Sequence, residues 1–321
     1  MQRKLIKEIF KGELAGIVIV LALIILLLVV FAQGFASFYN LNALSRTIAI
    51  IIVVGLSQLA VLSIGHLNLA LGAMGCVSGM FTGFLLQEYA NLPIFVILLL
   101  GLLIGALAGF IQGAFIVKTK INPFIVTLAF VSLYLGIVTG ITKGAVFTRQ
   151  PERFMAIDRT SILFEIPLLF IISLAVAAIL MVLFFKTVLG RQVLATGENL
   201  KAAAFAGINT MYIVIVAHTL SGIIAGIAGI LQICRLGAAT PTIGADWLLI
   251  SFAAPILGGT ILSGGKVSII GTILGAVLMS TVVNGLFLLD VSYFWFQTFL
   301  GGILLGSYEI NKLRRSYLLQ K

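Results

Sequence analysis

Lys186 to Asn209 reads KTVLGRQVLATGENLKAAAFAGIN, and this stretch decides how the rest of the chain is read. Its charges, amides and punctuating glycines keep it out of a bilayer core, which takes roughly 20 apolar residues per helix. Its alanines and apolar side chains nevertheless recur at helical spacing. The expectation is a cytosolic segment, 186–210, containing a short helix on the membrane face against which another protein can push.

The sequence on either side is nearly continuous hydrocarbon. Hydrophobic residues make up 61% of 321 positions and charged residues 9%, with a mean hydropathy of +1.23. No soluble core hides that much apolar surface behind so few charges, so the chain is a polytopic membrane protein. The runs are apolar for whole helical lengths without alternation, which excludes an outer-membrane barrel. About ten spans are expected, at residues 14–32, 47–64, 69–87, 92–117, 124–142, 165–185, 211–233, 248–264, 267–288 and 293–310. The fold expected is therefore all-α, one transmembrane domain over residues 1–321. The run from Leu14 is too long for a cleaved signal peptide and is expected to be retained.

Charge sets the orientation. With the amino terminus inside, the cytosolic side receives Arg3, Lys4, Lys7, Lys11, Lys118, Lys120, Lys186, Arg191, Lys201, Lys266, Lys312, Arg314, Arg315 and Lys321. The outside receives Arg46, Lys143, Arg149, Arg153, Arg159 and Arg235, so fourteen cations face six, with both termini cytoplasmic. The net charge of +10 then describes topology and contact with anionic lipids. Nucleic acid is not an expected partner, because no basic patch is interleaved with exposed aromatics. Cys76 and Cys234 fall inside or at the edge of spans, far apart in the chain, and read as packing residues; no metal site is expected.

Glycine recurs every fourth residue at Gly101, Gly105, Gly109 and Gly113, at Gly136, Gly140 and Gly144, at Gly222 and Gly226, and at Gly271 and Gly275. Such faces let helices approach backbone to backbone, either as fixed packing or as sliding surfaces. Polar residues within spans are few: Gln58, His66, Asn68, Gln112, Asn122, His218, Gln232, Asn284 and Gln297. Each is costly in hydrocarbon and faces a bundle interior or a path. His66 and Asn68 sit in SIGHLNLALG, where glycines interrupt a helix, and broken helices at membrane depth are tolerated only where buried or lining a cavity. His218 reads as a histidine satisfied by an interhelical hydrogen bond. The external loop, 143–164, carries Arg149, Glu152, Arg153, Asp158 and Arg159, a charge pattern that suits either a solvated loop or docking of a soluble partner.

GGTILSGGKV, Gly258 to Val267, resembles a phosphate-binding loop but has Thr260 and Val267 at defining positions and no soluble strand before it. No catalytic cluster, metal-ligand spacing or pair of interior carboxylates is present, so the chain is not expected to be an enzyme or to hold a cofactor.

Four motifs in order then resemble one family, the membrane permeases of bacterial ATP-binding-cassette importers in the ribose-type sugar branch, related to branched-chain amino acid and nucleoside permeases. HLNLALG, His66–Gly72, occupies the place of the family's G-I-D-L-S-V-G. PFIVTLA, Pro123–Ala129, matches P-F-I-A-T-L-G, and LGGTILSGG, Leu257–Gly265, matches I-G-G-T-S-L-S-G-G. Gly190, Arg191, Ala195, Gly197 and Asn199 match the cytosolic motif G-R-x-x-x-A-x-G-x-N, and Ala202, Ala203, Gly207 and Ile208 match its trailing A-A and G-I. Gly271, Thr272, Gly275, Asn284 and Gly285 complete the resemblance, which runs from about residue 50 to 305.

The resemblance implies the larger, many-helix (type II) importer fold: two permease subunits around a path, a cytosolic ATPase dimer, and an extracytoplasmic solute-binding protein. It assigns Gly190, Arg191, Gly197, Glu198, Asn199, Ala202, Ala203 and Gly207 to coupling with the ATPase. His66, Asn68, Asn122 and Asn284 are expected along the substrate path, and the loop charges at the binding-protein contact. Departures stand out in the first motif: Asn68 replaces the family's aspartate, Ala70 the serine after it and His66 the leading glycine, which bears on the solute and on whether the partner permease is a copy or a paralogue. The expected function is an inner-membrane sugar permease working by alternating access. A nucleoside or amino acid permease of the same superfamily is the alternative. An ion-coupled secondary transporter lacks its acidic residue, because Glu88, Asp246 and Asp290 fall at span boundaries.

Overall fold

The computed structural model describes residues 14–162, 165–292, 295–296, 298–299 and 301–302. The terminal cations and both termini, Gln297, and most of the 293–310 span lie outside the described residues. Among the described residues, the elements succeed one another as α1 Leu14–Phe31, α2 Phe38–Leu62, α3 Leu71–Glu88, α4 Ile94–Thr119, α5 Pro123–Thr142, α6 Glu152–Arg159, β1 Ser161–Ile162, β2 Ile166–Pro167, α7 Leu168–Lys186, α8 Val188–Glu198, α9 Leu200–Phe205, α10 Thr210–Leu236, α11 Trp247–Leu257 and α12 Ile269–Leu288.

Short polar residues set where helices begin, since the first backbone N–H groups of a helix need an acceptor. Ser37 Oγ accepts from Asn40 N at the start of α2, Asn122 Oδ1 from Phe124 N at α5, Asn209 Oδ1 from Tyr212 N at α10, and Ser268 Oγ from Gly271 N at α12. α10 forms the centre, packed on α4, α2 and α3; α11 and α12 pack on each other and on α2, and α1 lies outermost against α12.

Among the described residues, seven helices are long and apolar enough to cross a membrane: α1, α2, α4, α5, α7, α10 and α12. The two expected spans at 69–87 and 248–264 take another form. α3 has spanning length but is diluted by glycine, Gln87 and Glu88, and α11 has 11 residues, about 16 Å at 1.5 Å per residue. A non-helical stretch precedes each, residues 63–70 before α3 and 237–246 before α11. The two meet where a Cβ on Gly72 would fall on the Gly244 carbonyl, and the converse holds for Gly244. Gly75, one turn on, faces Ala225 O near the middle of the 27-residue α10, which places the crossing deep in the bundle.

The glycine faces explain the closeness of the centre. A Cβ on Gly105 would lie 2.6 Å from Gly222 O, and one on Gly109 would overlap His218 O and approach Thr219 Cα at 2.9 Å. Gly271 and Gly275 press likewise on Gly258 and Ala254. Gly136 and Gly140, in contrast, have nothing within 4 Å: the small face of α5 points away from the rest of the chain. Overpacking a tight contact costs roughly 1–3 kcal/mol, whereas Gly to Ala in an open helix face gains up to about 1 kcal/mol of propensity. Gly109→Ala is therefore expected to lower the thermal midpoint in detergent, and Gly140→Ala to leave it level or higher; equal midpoints would contradict this packing.

Candidate functional site

The break between α2 and α3 gathers the interior polar residues into one cluster. Asn68 is fully buried; its Oδ1 accepts from Ala70 N at 3.0 Å and from Gln112 Nε2 at 3.0 Å, while its Nδ2 donates to Ser221 Oγ at 3.2 Å. Gln112 Nε2 also lies 3.1 Å from His218 Nδ1, and His218 Nε2 lies 3.2 Å from His66 Nδ1. Ser57 Oγ donates to Ser221 O at 2.9 Å. With its amide turned to satisfy both groups, Gln58 donates to Asn68 O at 3.0 Å and accepts from Asn68 N at 3.2 Å. Gln58, Gln112 and His218 are as buried as Asn68, but His66 is only partly covered. His218 is a hydrogen-bonded interhelical residue, and the cluster uses α2, α4 and α10, of which the glycine contacts bring α4 and α10 together.

The other two expected path residues lie apart from this cluster. Asn122 is exposed and caps α5. Asn284 forms a reciprocal amide pair with Asn40, 3.1 and 2.9 Å, tying α12 to the start of α2, where Asn40 Nδ2 also donates to Phe35 O at 2.9 Å. Composition alone offers no sign of that partner, 244 residues away.

Close to the cluster, the chain meets segment 186–210. Gly265 N donates to Ser63 O at 3.0 Å, and a Cβ on Gly197 would overlap Ser63 O and reach Gly265 N at 2.6 Å. Gly264 and Gly265 have φ of +87° and +80°, which side chains other than glycine adopt with strain. The Leu257–Gly265 motif is thus a wedge between Ser63–Gly65 and Gly197–Glu198.

Segment 186–210 consists of α8 and α9, capped by Thr187 and Asn199, whose Oδ1 accepts from Ala202 N at 3.0 Å. Arg191, Glu198, Asn199, Ala202 and Gly207 are exposed; Gly207, at φ +81°, ends α9 as Ile208 N donates back to Ala203 O. Gly190 and Ala203 face inward, Gly190 onto Leu183 O and Phe184. The motif residues do not include Leu200 and Phe205, which are 53% and 93% exposed on α9. Their signal lies in LKAAAF, whose apolar ends have no apolar neighbour in the segment to bury them.

At the opposite end, residues 143–162 are more ordered than a loop. Phe147 and Ala239 exchange backbone hydrogen bonds of 3.0 and 2.9 Å, and α6 is amphipathic, burying Phe154 and Asp158. Arg149, Glu152, Arg153 and Arg159 are exposed, but Asp158 turns inward to Arg46 Nη1 at 2.8 Å. Burial pushes the Asp158 carboxyl up from its usual range, opposed by Arg46, Arg235 and Arg159. Asp158 Oδ1 and Arg46 Nε have no hydrogen-bond partner among the described residues. Among those residues no group of three or more His, Cys, Asp or Glu is placed to hold a metal, and both cysteines are free and buried.

Residues 40–308 match the family described as "Branched-chain amino acid transport system / permease component". The chain belongs to that family. Within it, the chain is 34% identical to a ribose import permease protein of Bacillus subtilis over 277 residues, 86% of this chain and 85% of the relative. It is 29% identical to a D-allose transport system permease protein of Escherichia coli over 281 residues, 88% and 86% of the two chains. An autoinducer 2 import system permease protein of Photorhabdus luminescens is 32% identical over 297 residues, 92% and 88%. No solved structure matches the chain significantly. This family permease is a multi-pass membrane protein and a transport component, and its matched range contains every site residue described here.

Removing one member of an ion pair costs roughly 3–5 kcal/mol when buried and at most about 1 kcal/mol at the surface. Arg46 is 25% exposed on its side chain, so Asp158→Ala is expected to cost an intermediate amount, about 1–3 kcal/mol. Because burial opposes the charge, Asp158→Asn should lose less. Denaturation in detergent checks the order; equal loss in both variants would mean that the charge itself is what the site needs.

Proposed function

We propose that this chain is the permease subunit of an ATP-driven importer that moves a sugar or sugar-like solute inward across the cytoplasmic membrane by alternating access. Its relatives are named for ribose import, D-allose transport and autoinducer 2 import, and sequence similarity to each covers most of both chains. The carrying observation is structural: α8 rests by Gly197 on Ser63, next to the broken span that holds His66 and Asn68. A push on segment 186–210 therefore reaches the interior polar cluster through backbone contacts rather than flexible side chains.

In this reading the fold is of the type II importer kind, with segment 186–210 cytosolic and a second permease copy or a paralogue completing the path. A cytosolic ATPase dimer receives Arg191, Glu198 and the exposed Phe205 in a groove. An extracytoplasmic binding protein docks on Arg149, Glu152, Arg153 and Arg159. Asp158 supports that surface from beneath by holding α6 to α2. Anionic lipids meet the cationic cytosolic margin.

The family's own description favours a second reading, an amino acid solute. Ion coupling is less well supported, because the one buried carboxylate among the described residues, Asp158, lies in α6 outside the spans.

Exposed aromatic anchors dominate interfaces, and losing one costs about 2 kcal/mol or more, some thirtyfold in affinity. Phe205→Ala should therefore weaken ATPase binding by roughly that factor and lower solute-stimulated hydrolysis, with Arg191→Ala and Glu198→Ala milder and additive. Normal coupling in the triple variant would remove the segment from the mechanism. On the other face, reversing Arg149, Arg153 and Arg159 to Glu should slow binding-protein association most at low salt, since exposed charges act over about 10 Å at 0.1 M. An unchanged rate with unchanged salt dependence would leave that surface merely solvated.

A further inference from the structure

The polar cluster has a direction, and it can be read from a group whose polarity is fixed. Ala70 N is a backbone donor, so the Asn68 atom facing it at 3.0 Å is the carbonyl oxygen, and Asn68 Nδ2 is left to donate to Ser221 Oγ. Gln112 presents its amide nitrogen to that same Asn68 oxygen at 3.0 Å; the reversed amide would set two carbonyl oxygens against each other. The second hydrogen of Gln112 Nε2 points to His218 Nδ1 at 3.1 Å, which must then be an acceptor. His218 carries its proton on Nε2 and donates it to His66 Nδ1 at 3.2 Å. His66 is left with its proton on Nε2.

His66 Nε2 makes no hydrogen bond among the described residues, and His66 is the one member of the chain from Ala70 through Asn68, Gln112 and His218 that is partly exposed. His218 lies eight residues into α10, about 12 Å from its start, so the ring stands at membrane depth. An N–H facing hydrocarbon there would be costly. Its open side therefore faces a polar path.

We propose that Ala70, Asn68, Gln112 and His218 hold His66 in one neutral tautomer, so that His66 Nε2–H is a fixed donor to an acceptor oxygen of the solute during passage. Gln112 and His218 are positioning residues, and His66 is the specificity-determining contact. The solute half of this proposal rests on the sugar reading above; the tautomer half does not. A fixed donor selects for oxygen acceptors and against cationic groups at that point, because it offers no lone pair.

The chain has two histidines, so 15N-histidine labelling of this subunit alone, reassembled with unlabelled partners in nanodiscs, reports on these two rings. Both should appear neutral with the proton on Nε2, and Gln112→Leu should convert His218 and His66 into mixtures of tautomers. A proton on Nδ1 of either wild-type ring, or an imidazolium at neutral pH, overturns the proposal, as does a Gln112→Leu spectrum identical to wild type. For the solute half, uptake of labelled D-ribose and D-allose is measured in proteoliposomes of the complete importer. His66→Gln keeps an acceptor for His218 and a donor outward, and should stay within about threefold of wild type, while His66→Leu should raise KM about tenfold. Equal uptake by the two variants overturns the contact. If wild type takes up neither sugar, the sugar reading fails, and the tautomers still decide the positioning half. They decide it equally if His66→Leu does not fold.

Discussion

Within a bilayer, a backbone group released from a helix finds no water, and the protein itself must bond it. This constraint governs the stretch from Ser63 to Ala70. Ser63 O accepts from Gly265 N, Leu67 O from Thr127 Oγ1, and Asn68 N and O are both engaged by Gln58. His66 N turns back to Val61 O, and Ala70 N is taken by Asn68 Oδ1. Four elements, α2, α5, the Leu257–Gly265 wedge and the break itself, thus contribute to one patch of irregular backbone. It exists only while all four are docked.

That dependence gives the glycines their purpose. Hydrocarbon offers no hydrophobic drive for α4 to approach α10, so close van der Waals packing of Gly105, Gly109, Gly222 and Gly226 has to supply it. Only at that separation do Gln112 and His218 come within hydrogen-bond reach. The same logic holds at Gly197, where bare backbone lets α8 lie on Ser63 without an intervening side chain. A contact between backbones transmits displacement without rotamer slack.

Much of this is legible in the sequence, and the rest is hidden for definable reasons. Continuous apolar runs locate the seven spanning helices, and the glycines around His66 locate the break. Four-residue glycine spacing shows that a face is small but not what covers it, so Gly109 and Gly140 look alike. The 248–264 run passes as a full span because hydropathy counts apolar residues whether they are helical or extended, and Gly258–Gly265 turn back as the wedge. Asn284 and Asp158 read as path and surface residues because their partners, Asn40 and Arg46, lie 244 and 112 residues away. His66, Asn68 and His218 are singled out by their cost in hydrocarbon; their order in one chain needs coordinates.

Asn68 shows how a departure from the family pattern can preserve what the position does. An aspartate here would still accept from Ala70 N and Gln112 Nε2, because both approach one oxygen. It would also carry a charge costing roughly 2.5–3.5 kcal/mol at the centre of a membrane helix, and it would reverse the bond to Ser221 by making the hydroxyl the donor. That hydroxyl lies 3.1 Å from Ser57 Oγ, which already donates to Ser221 O, so the proton of Ser221 is free to turn either way. The amide therefore removes the charge and leaves the direction of the chain toward His66 unaltered. The amide of Asn68 thus keeps the buried end of the chain neutral, and the tautomer proposed for His66 sets a neutral donor at its partly exposed end.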